Sequence, residues 1–370
     1  MSFDSGSLSF RFFYLQQEYD SSLVTSFARR VIPDIEKAGK DPISGWIGCR
    51  HLLDREIADE TCVIGPYLYV QLLKAERKIP ASYLRAILKQ EELLAMKAEN
   101  AQFLTRKQKA EIKERVIEQL TPTMPPSLTA IPCVVDFRND LLVAGAMSDK
   151  QIDALVPAFK STVGSIPILL TPDSAAMKRK QVNAVDLNPV SFSPDPSVDP
   201  PATSILGQDF LTWLWFAWET GDNVWHLPDS GKEFGILLEG PVTFFREGEG
   251  VHEAVLRKGT PLNCAEAQTA LLRGKKVKRL KFTIAQGEDI FACTLDDEFA
   301  FRGVKLPKGE QKEFNGKVEE RMLFIETFSS ALFYLFDEFL DLRTDSKKWK
   351  KTVADVRDWI QNVGEKQVSE

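Results

Sequence analysis

Lysine and arginine are concentrated in two stretches of this acidic chain, and closely spaced cations suit one kind of chemistry, the binding of phosphate. The 370 residues carry a formal net charge of −6. Between Lys74 and Arg115 there are eleven Lys or Arg against six Glu, and between Arg257 and Lys281 there are eight against the single Glu266. Cations held on a rigid element can meet a line of phosphates and release counterions without reading any base. Both stretches therefore predict binding to a polyanion, with an ordinary solvated surface as the alternative.

The second stretch is the denser of the two, and most of its cations precede or enter a predicted strand. Charged side chains on one face of a strand stand about 7 Å apart, a spacing that suits contact with successive phosphates. We therefore take the eight cations of this stretch as candidate phosphate ligands: Arg257, Lys258, Arg273, Lys275, Lys276, Lys278, Arg279 and Lys281.

Sequence motifs for catalysis are sparse. The chain contains no GxxxxGK[ST], GxSxG or HExxH motif, and its three histidines are isolated from one another. Asp296, Asp297 and Glu298 are the carboxylate cluster that a metal-dependent nuclease would need, but they fall in a predicted turn that fits a solvated hairpin better. We therefore expect a protein that is not an enzyme and that requires no metal or cofactor.

Cysteine usage and the absence of a leader or membrane span predict a cytoplasmic location. Cys49, Cys62, Cys133, Cys264 and Cys293 form no CxxC pair, and most lie in apolar, strand-like sequence typical of reduced core residues. The N-terminal residues lack the pattern of a signal peptide. In the most apolar run, the longest uncharged stretch is Thr327 to Phe336, far short of the roughly 20 residues that cross a bilayer. That run predicts a buried amphipathic helix.

The first half of the chain alternates strand and helix patterns. A capping box at Thr105, with Gln108 three residues later, separates two helices that predict a helical hairpin with a thin apolar seam. The predicted elements are a strand at Leu8–Leu15, a helix at Ser21–Lys37, a strand at Thr61–Leu73, helices from Pro80 to about Asn100 and from Thr105 to Leu120, strands at Ile131–Phe137 and Leu141–Ala146, a helix from Ser148 to about Val163, and a strand at Ile166–Leu170.

The second half begins with a proline-rich segment, 181–204, which predicts a linker or an extended surface crossing. In the first strand of a later meander, Leu280, Phe282 and Ile284 share one face, and Arg279, Lys281 and Thr283 share the opposite face, which we expect to be open and positive. The other predicted elements are a buried aromatic helix at Gln208–Thr220, two strands within Phe234–Phe245 around Glu239 and Gly240, a short helix at Asn263–Arg273, the meander at Gly274–Pro307 and a tail helix from Lys347.

These elements predict an α+β protein with mixed antiparallel sheets, packed helices and a protruding helical hairpin. By composition we divide the chain into an N-terminal α+β half, a linker, a second α+β unit with the basic meander, and C-terminal helices. Their ranges are 1–180, with the hairpin at 80–120, then 181–207, 208–310 and 311–370.

Three stretches of the chain together resemble the bacterial recombination-associated protein RdgC family. They occur in the family's order and spacing: RKIPASYLRAILKQEELLAMKAENAQFLTRKQKAEIKERVIEQLTP, VVDFRNDLLVAGAMSDKQIDALVPAFKSTVGSIPILL and LRKGTPLNCAEAQTALLRGKKVKRLKF. The resemblance implies a ring-forming homodimer that encircles double-stranded DNA without sequence preference. It also implies a nucleoid-associated protein that modulates recombination and replication by restraining a recombinase.

The resemblance also assigns residues. The family's helical finger falls on Arg106, Lys107 and Lys109, and its basic strand falls on Arg257, Lys258, Lys275, Lys276, Lys278, Arg279 and Lys281. Two features depart from the family pattern. Met124 stands between prolines where an aromatic is expected in a segment that helps to join subunits. The proline-rich stretch, the tryptophan helix and the tail beyond Asp345 are longer than in the family.

Two other classes of function remain open at this point. The charged helical hairpin could dock a partner protein, which would make the chain a scaffold, and a metal-dependent nuclease is the third alternative. The salt dependence of binding distinguishes a DNA-binding protein from a scaffold, because phosphate binding weakens steeply as salt rises, whereas docking through apolar helix faces need not.

Overall fold

The computed structural model describes residues 3–39, 41–228, 231–247, 250–258, 262 and 264–362. Within these ranges there are thirteen strands: β1 Leu8–Tyr14, β2 Ile43–Ile47, β3 Val63–Ile64, β4 Tyr67–Arg77, β5 Pro126–Asp136, β6 Leu141–Ala144, β7 Ile168–Leu169, β8 Val224–His226, β9 Glu233–Phe245, β10 Glu253–Leu256, β11 Lys276–Gln286, β12 Asp289–Asp296 and β13 Phe301–Lys305. The α-helices in the same ranges are α1 Val24–Ala28, α2 Asp59–Cys62, α3 Ala81–Ala98, α4 Arg106–Leu120, α5 Asp149–Val163, α6 Pro172–Lys180, α7 Leu206–Thr220, α8 Ala265–Leu272, α9 Phe314–Thr344 and α10 Ser346–Asn362.

The chain folds into two compact units, each discontinuous in sequence. Unit 1 contains the described parts of Met1–Leu15, Leu141–Met147 and Pro167–Glu370, and unit 2 contains those of Gln16–Asp140 and Ser148–Ile166. Each unit combines helices with antiparallel strands, so the predicted α+β class is confirmed.

The sheet of unit 1 runs in the order β10, β9, β11, β12, β13, β1, β6, with β8 beside β9 and β7 beside β1. Neighbouring strands are antiparallel. The alternation predicted for β11 is confirmed on the apolar side, because Leu280, Phe282 and Ile284 are all buried. Phe282 stacks on Phe328 of α9 at a centroid distance of 6.1 Å, so this face of the sheet packs against a helix.

Helix α7 is buried along most of its length in unit 1, as its aromatic sequence predicts. Phe210 packs edge-on against Phe336 of α9 at 5.2 Å, and Trp215 packs against Trp359 of α10 at 5.2 Å. These tryptophans therefore form core contacts and do not present a platform for base stacking. The long apolar helix α9 is also part of this core, and none of the helices in the described part of the chain is long and apolar enough to cross a membrane.

Two predictions for unit 1 need correction or refinement. Residues 233–245 form the single strand β9 rather than two strands, and the predicted break appears only as an irregularity in the pairing of β9 with β11. The proline-rich segment is an extended crossing packed onto unit 1, because Phe192 is buried and the Ser193 hydroxyl donates to the Leu272 carbonyl at 2.5 Å. Within the predicted C-terminal helix, residues 363–370 lie outside the described ranges.

Unit 2 is built on a sheet in the order β5, β4, β2, with β3 paired to β4. The long helix predicted over residues 21–37 is wrong, since α1 ends at Ala28. The chain beyond it pairs with β2 instead: the Ile32 N–H donates to the Trp46 carbonyl, and the Trp46 N–H donates to the Arg30 carbonyl, both at 3.0 Å. Pro33 has no N–H to continue a helix, so this pairing replaces helical hydrogen bonds.

Helices α3 and α4 pack against each other in unit 2 through a narrow apolar seam. The predicted capping box is confirmed, because the Thr105 N–H donates to Gln108 Oε1 at 2.9 Å and the Gln108 N–H donates to the Thr105 hydroxyl at 3.3 Å. Leu104, Ile112 and Val116 are buried in the seam against apolar side chains of α3. We call α3, α4 and their connection the helix pair.

Arg77 anchors the chain next to the helix pair. Its guanidinium donates to the carbonyls of Glu36, at 3.0 Å, and Ala38, at 2.7 Å, and also to those of Pro122 and Met124, which follow α4. Buried or partly buried carbonyls need such donors. Arg77 belongs to the first basic stretch by sequence, but its guanidinium has a structural role.

Candidate nucleic-acid interface

The eight cations between Arg257 and Lys281, here called the strand surface, do not form a single row. β11 carries an irregularity in its pairing with β9: Val277 pairs with Phe244 and Arg279 pairs with Thr243, so Lys278 has no opposite residue. A bulge of this kind interrupts the alternation of side chains along a strand. Cations before and after Lys278 therefore point into different environments.

Lys276 is buried, and the prediction that it contributes to an exposed phosphate surface is wrong. Its Nζ lies 2.5 Å from Oδ1 of Asp209, whose side chain is fully buried, and the Arg343 guanidinium lies 3.8 Å from the other oxygen of the same carboxylate. A buried carboxylate must be compensated by nearby cations. Lys276 and Arg343 supply that compensation, which fixes β11 to α7 and α9.

Two other cations of β11 face carboxylates at the surface. Lys281 Nζ lies 2.6 Å from Oε2 of Glu239 on β9, directly across the strand pair. Lys278 Nζ lies 3.7 Å from Oε1 of Glu253 on β10 and 4.5 Å from the ring centroid of Phe245. On the face predicted to be open and positive, Lys281 is thus neutralised by Glu239, and the adjacent Lys278 is near Glu253.

The remaining cations of the strand surface carry no ion pair among the described residues. Arg279 lies on the half-buried face of β11 with Lys281, and Arg273 follows the last turn of α8. The group without an ion pair consists of Arg257, Lys258, Arg273, Lys275 and Arg279. These five residues are therefore the candidates for contact with phosphate.

A second basic group, the α4 N-terminal cluster, consists of Arg106, Lys107 and Lys109. All three side chains are exposed, and the first turn of α4 contains no acidic residue. Lys107 and Lys109 each approach a glutamate only at 3.9 Å, and Arg106 has no ion pair within the described ranges. Cations at a helix N-terminus oppose the helix dipole, typically at a cost of about 0.3–1 kcal/mol each. An anion bound at this cluster would relieve that repulsion.

The double variant Arg106→Glu, Lys107→Glu is expected to weaken duplex binding while it stabilises α4. Two phosphate contacts contribute about 1.8 to the salt slope of log K, and two glutamates at the N-terminus contribute up to about 2 kcal/mol of favourable dipole interaction. Affinity can be measured by fluorescence anisotropy across a salt series, and stability by denaturant unfolding. Lys89→Glu, Lys113→Glu makes the same change in charge at the middle of the helices. An equal loss of affinity in that control would show that the cluster has no special role.

The carboxylates considered for a nuclease are all engaged within unit 1. Asp296 accepts from the Arg302 guanidinium at 3.2 Å, Asp297 accepts from the Gln208 side chain at 2.8 Å, and Glu298 accepts from Arg11 at 3.1 Å. Burial raises the pKa of Asp297. Among the described residues, no group of three or more His, Cys, Asp or Glu side chains has the geometry to hold a metal ion.

The cysteines occupy the interiors of the two units as thiols. Four of them are buried, and Cys264 is half-buried. A hydrogen bond that the Cys49 thiol donates to Cys62, together with burial, raises the pKa of Cys49, and burial raises the pKa of the Cys133 and Cys293 thiols. Raised pKa values keep these three thiols protonated and poorly nucleophilic at neutral pH.

Sequence reasoning missed two sets of residues near the candidate interface. Glu239 and Glu253 lie 42 and 25 residues from their lysine partners, and only the strand register brings them together. No local signal in the sequence identifies such pairs. On the helix pair, large apolar side chains are exposed outside the seam: Tyr83, Leu93, Leu94 and Phe103, the last 85% exposed. The sequence of α3 contains more apolar residues than the seam needs, and this excess could have predicted an exposed apolar face.

Comparison with known proteins gives two matches that agree with each other. Residues 40–180 match the family model described as "RdgC: Putative exonuclease, RdgC". A recombination-associated protein RdgC from Psychromonas ingrahamii is 28% identical over 109 residues, which is 30% of this chain and 36% of that protein. The alignment thus spans about a third of the relative's length. The helix pair lies inside the range that matches the family model, whereas the strand surface lies outside it. Both matches support a relationship between this chain and the RdgC family.

Proposed function

We propose that this protein binds double-stranded DNA without sequence preference, encircles it as a homodimer, and modulates recombination and replication by restraining a recombinase. The observation that carries the proposal is the set of strand-surface cations that have no ion pair among the described residues, in a chain whose net charge is −6. The name of the relative, a recombination-associated protein, supports a role of this kind. In the proposal the protein is not an enzyme, and it acts at the nucleoid in the cytoplasm.

Binding through these residues should be independent of sequence. Lysine and arginine that meet phosphate position a protein on DNA but carry no base code. Unrelated duplexes of equal length should therefore compete almost equally. A reader of base sequence would discriminate by about 1–3 kcal/mol for each changed base pair. A preference of more than about a hundredfold for one duplex would contradict the phosphate-only account.

The exposed apolar face of α3 supports subunit association. On this face Tyr83 and Ala86 are exposed on one side of Gln90, and Leu93 and Leu94 are exposed on the other. Leu93 and Leu94 are 52% and 54% exposed. A two-fold contact requires a self-complementary patch, and antiparallel packing of this face about Gln90 would meet that requirement. Leu93→Glu with Leu94→Glu should therefore favour the monomer in light scattering.

A closed ring predicts a kinetic signature that tests the proposal. A protein threaded on a circular duplex cannot leave by sliding off an end, so it must open a subunit contact. The protein would be loaded on a nicked circle or on the same DNA made linear, and dissociation would be followed after a step to high salt. Longer retention on the circle is expected. Equal lifetimes on both forms, or a monomer at working concentration, would contradict enclosure.

A protein-docking scaffold is the second candidate, and the exposed apolar face of α3 is the observation that favours it. Docking through this face would be only weakly sensitive to salt, whereas duplex affinity falls steeply with salt. The exonuclease named in the family description ranks third, because Asp296, Asp297 and Glu298 already bond to neighbouring side chains. Degradation of end-labelled duplex in the presence of Mg²⁺ or Mn²⁺ would revive that candidate.

A further inference from the structure

The ion pair between Lys281 and Glu239 lies where the proposed phosphate contact would form. The two residues face each other on antiparallel strands, and their Nζ and Oε2 atoms are 2.6 Å apart. Their side chains are 36% and 39% exposed, so solvent reaches both groups. A phosphate oxygen that approaches Lys281 must therefore displace this carboxylate or share the ammonium group with it.

A second surface lysine of β11 also approaches a carboxylate, this one on β10, the strand beyond β9. Lys278 lies 3.7 Å from Glu253 of β10, whose side chain is 48% exposed. By contrast, the buried pair of Lys276 and Asp209 is inaccessible to DNA. Lys281 thus faces a carboxylate of the adjacent strand β9, and Lys278 faces one of β10, which lies beyond β9.

We propose that Glu239 competes with DNA phosphate for Lys281 and thereby sets the affinity of the strand surface for DNA below its maximum. This inference rests on the proposed function, since it concerns the same surface. Glu253 acts in the same way on Lys278, through a longer and weaker contact. An exposed ion pair is weak enough for phosphate to displace, yet its loss subtracts from the binding free energy. The protein therefore releases DNA faster, while Lys281 still serves as a phosphate contact.

The size of the effect follows from the exposure of the pair. An exposed ion pair contributes about 1 kcal/mol at most, equivalent to about fivefold in affinity. Glu239→Gln keeps the shape of the side chain but removes its charge. We therefore expect this variant to bind a short duplex up to about fivefold more tightly than the unmodified protein.

A matched control separates local competition from overall charge. Glu288 is exposed in the turn between β11 and β12, seven residues beyond Lys281 along the chain. Glu288→Gln changes the net charge by the same amount, but at 0.15 M salt screening acts over about 8 Å. Each of the two variants would also be made in a Lys281→Met background, and all affinities would be measured by anisotropy at two salt concentrations.

The double-variant comparison gives distinguishable outcomes. Competition predicts that Glu239→Gln tightens binding when Lys281 is present and matches Glu288→Gln when Lys281 is methionine. An equal effect of both variants in both backgrounds would overturn the competition while leaving DNA binding intact. Failure of the unmodified protein to bind duplex at low salt would overturn the proposed function and this inference together. Unchanged thermal unfolding of Glu239→Gln would confirm that the gain in affinity does not come from refolding of the sheet.

Discussion

Replacing Lys276 with methionine is expected to lower the free energy of unfolding by about 3 kcal/mol, because it leaves the carboxylate of Asp209 buried without its closest cation. Asp209 is fully buried, and Lys276 Nζ is 2.5 Å from it. Arg343, at 3.8 Å, remains as a weaker partner and keeps the loss at the low end of the usual range of about 3–5 kcal/mol. Denaturant unfolding followed by tryptophan fluorescence would measure the change, since Trp215 is in the same core.

Two further variants make this prediction specific. Lys275→Met removes the neighbouring cation, which has no ion pair among the described residues, and should change stability by less than about 0.5 kcal/mol. Combining Lys276→Met with Asp209→Asn removes both charges and should recover part of the lost stability. If Lys276→Met unfolded at the same denaturant concentration as the unmodified protein, the buried pair would not be a structural element.

The double variant Arg257→Glu, Lys275→Glu is expected to reduce duplex affinity about a hundredfold at 50 mM salt. Each phosphate contact contributes about 0.9 to the slope of log K against log salt, so two lost contacts correspond to roughly two orders of magnitude at that concentration. Neither residue has an ion pair among the described residues, and the strand surface loses no structural bond with them. The salt slope should fall by about 1.8.

The matched control reverses two exposed lysines outside the strand surface. Lys308→Glu, Lys312→Glu produces the same change of net charge in the loop before α9. If binding depends on the strand surface, this control should retain most of its affinity at 0.15 M salt, where distant charges are screened. Equal losses in both double variants would indicate that DNA responds to net charge alone.

Regular local patterns in this chain predict its elements well. The alternation of Leu280, Phe282 and Ile284 fixes which face of β11 is buried, since a strand places successive side chains on opposite faces. The capping box at Thr105 places the start of α4, and the aromatic content of α7 predicts its burial. Where one residue interrupts a pattern, local reasoning fails. Pro33 interrupts an otherwise helical spacing, and the chain there pairs with β2 instead. This pairing depends on Trp46, which lies outside the segment from which the helix was predicted.

The amino-acid sequence by itself determined the α+β class, the two basic stretches and the resemblance to the RdgC family, because each depends on composition or on short-range order. Only the tertiary structure decided which cations are available to a ligand. A lysine in a basic run has the same appearance in the sequence whether it is buried or exposed. Lys276 is buried beside Asp209, and Lys281 faces Glu239, because of a bulge in β11 and the register of strands distant in sequence. The charge partners of a residue in a sheet depend on which strands pair and in which register, and these cannot be inferred from the residues near it in the sequence.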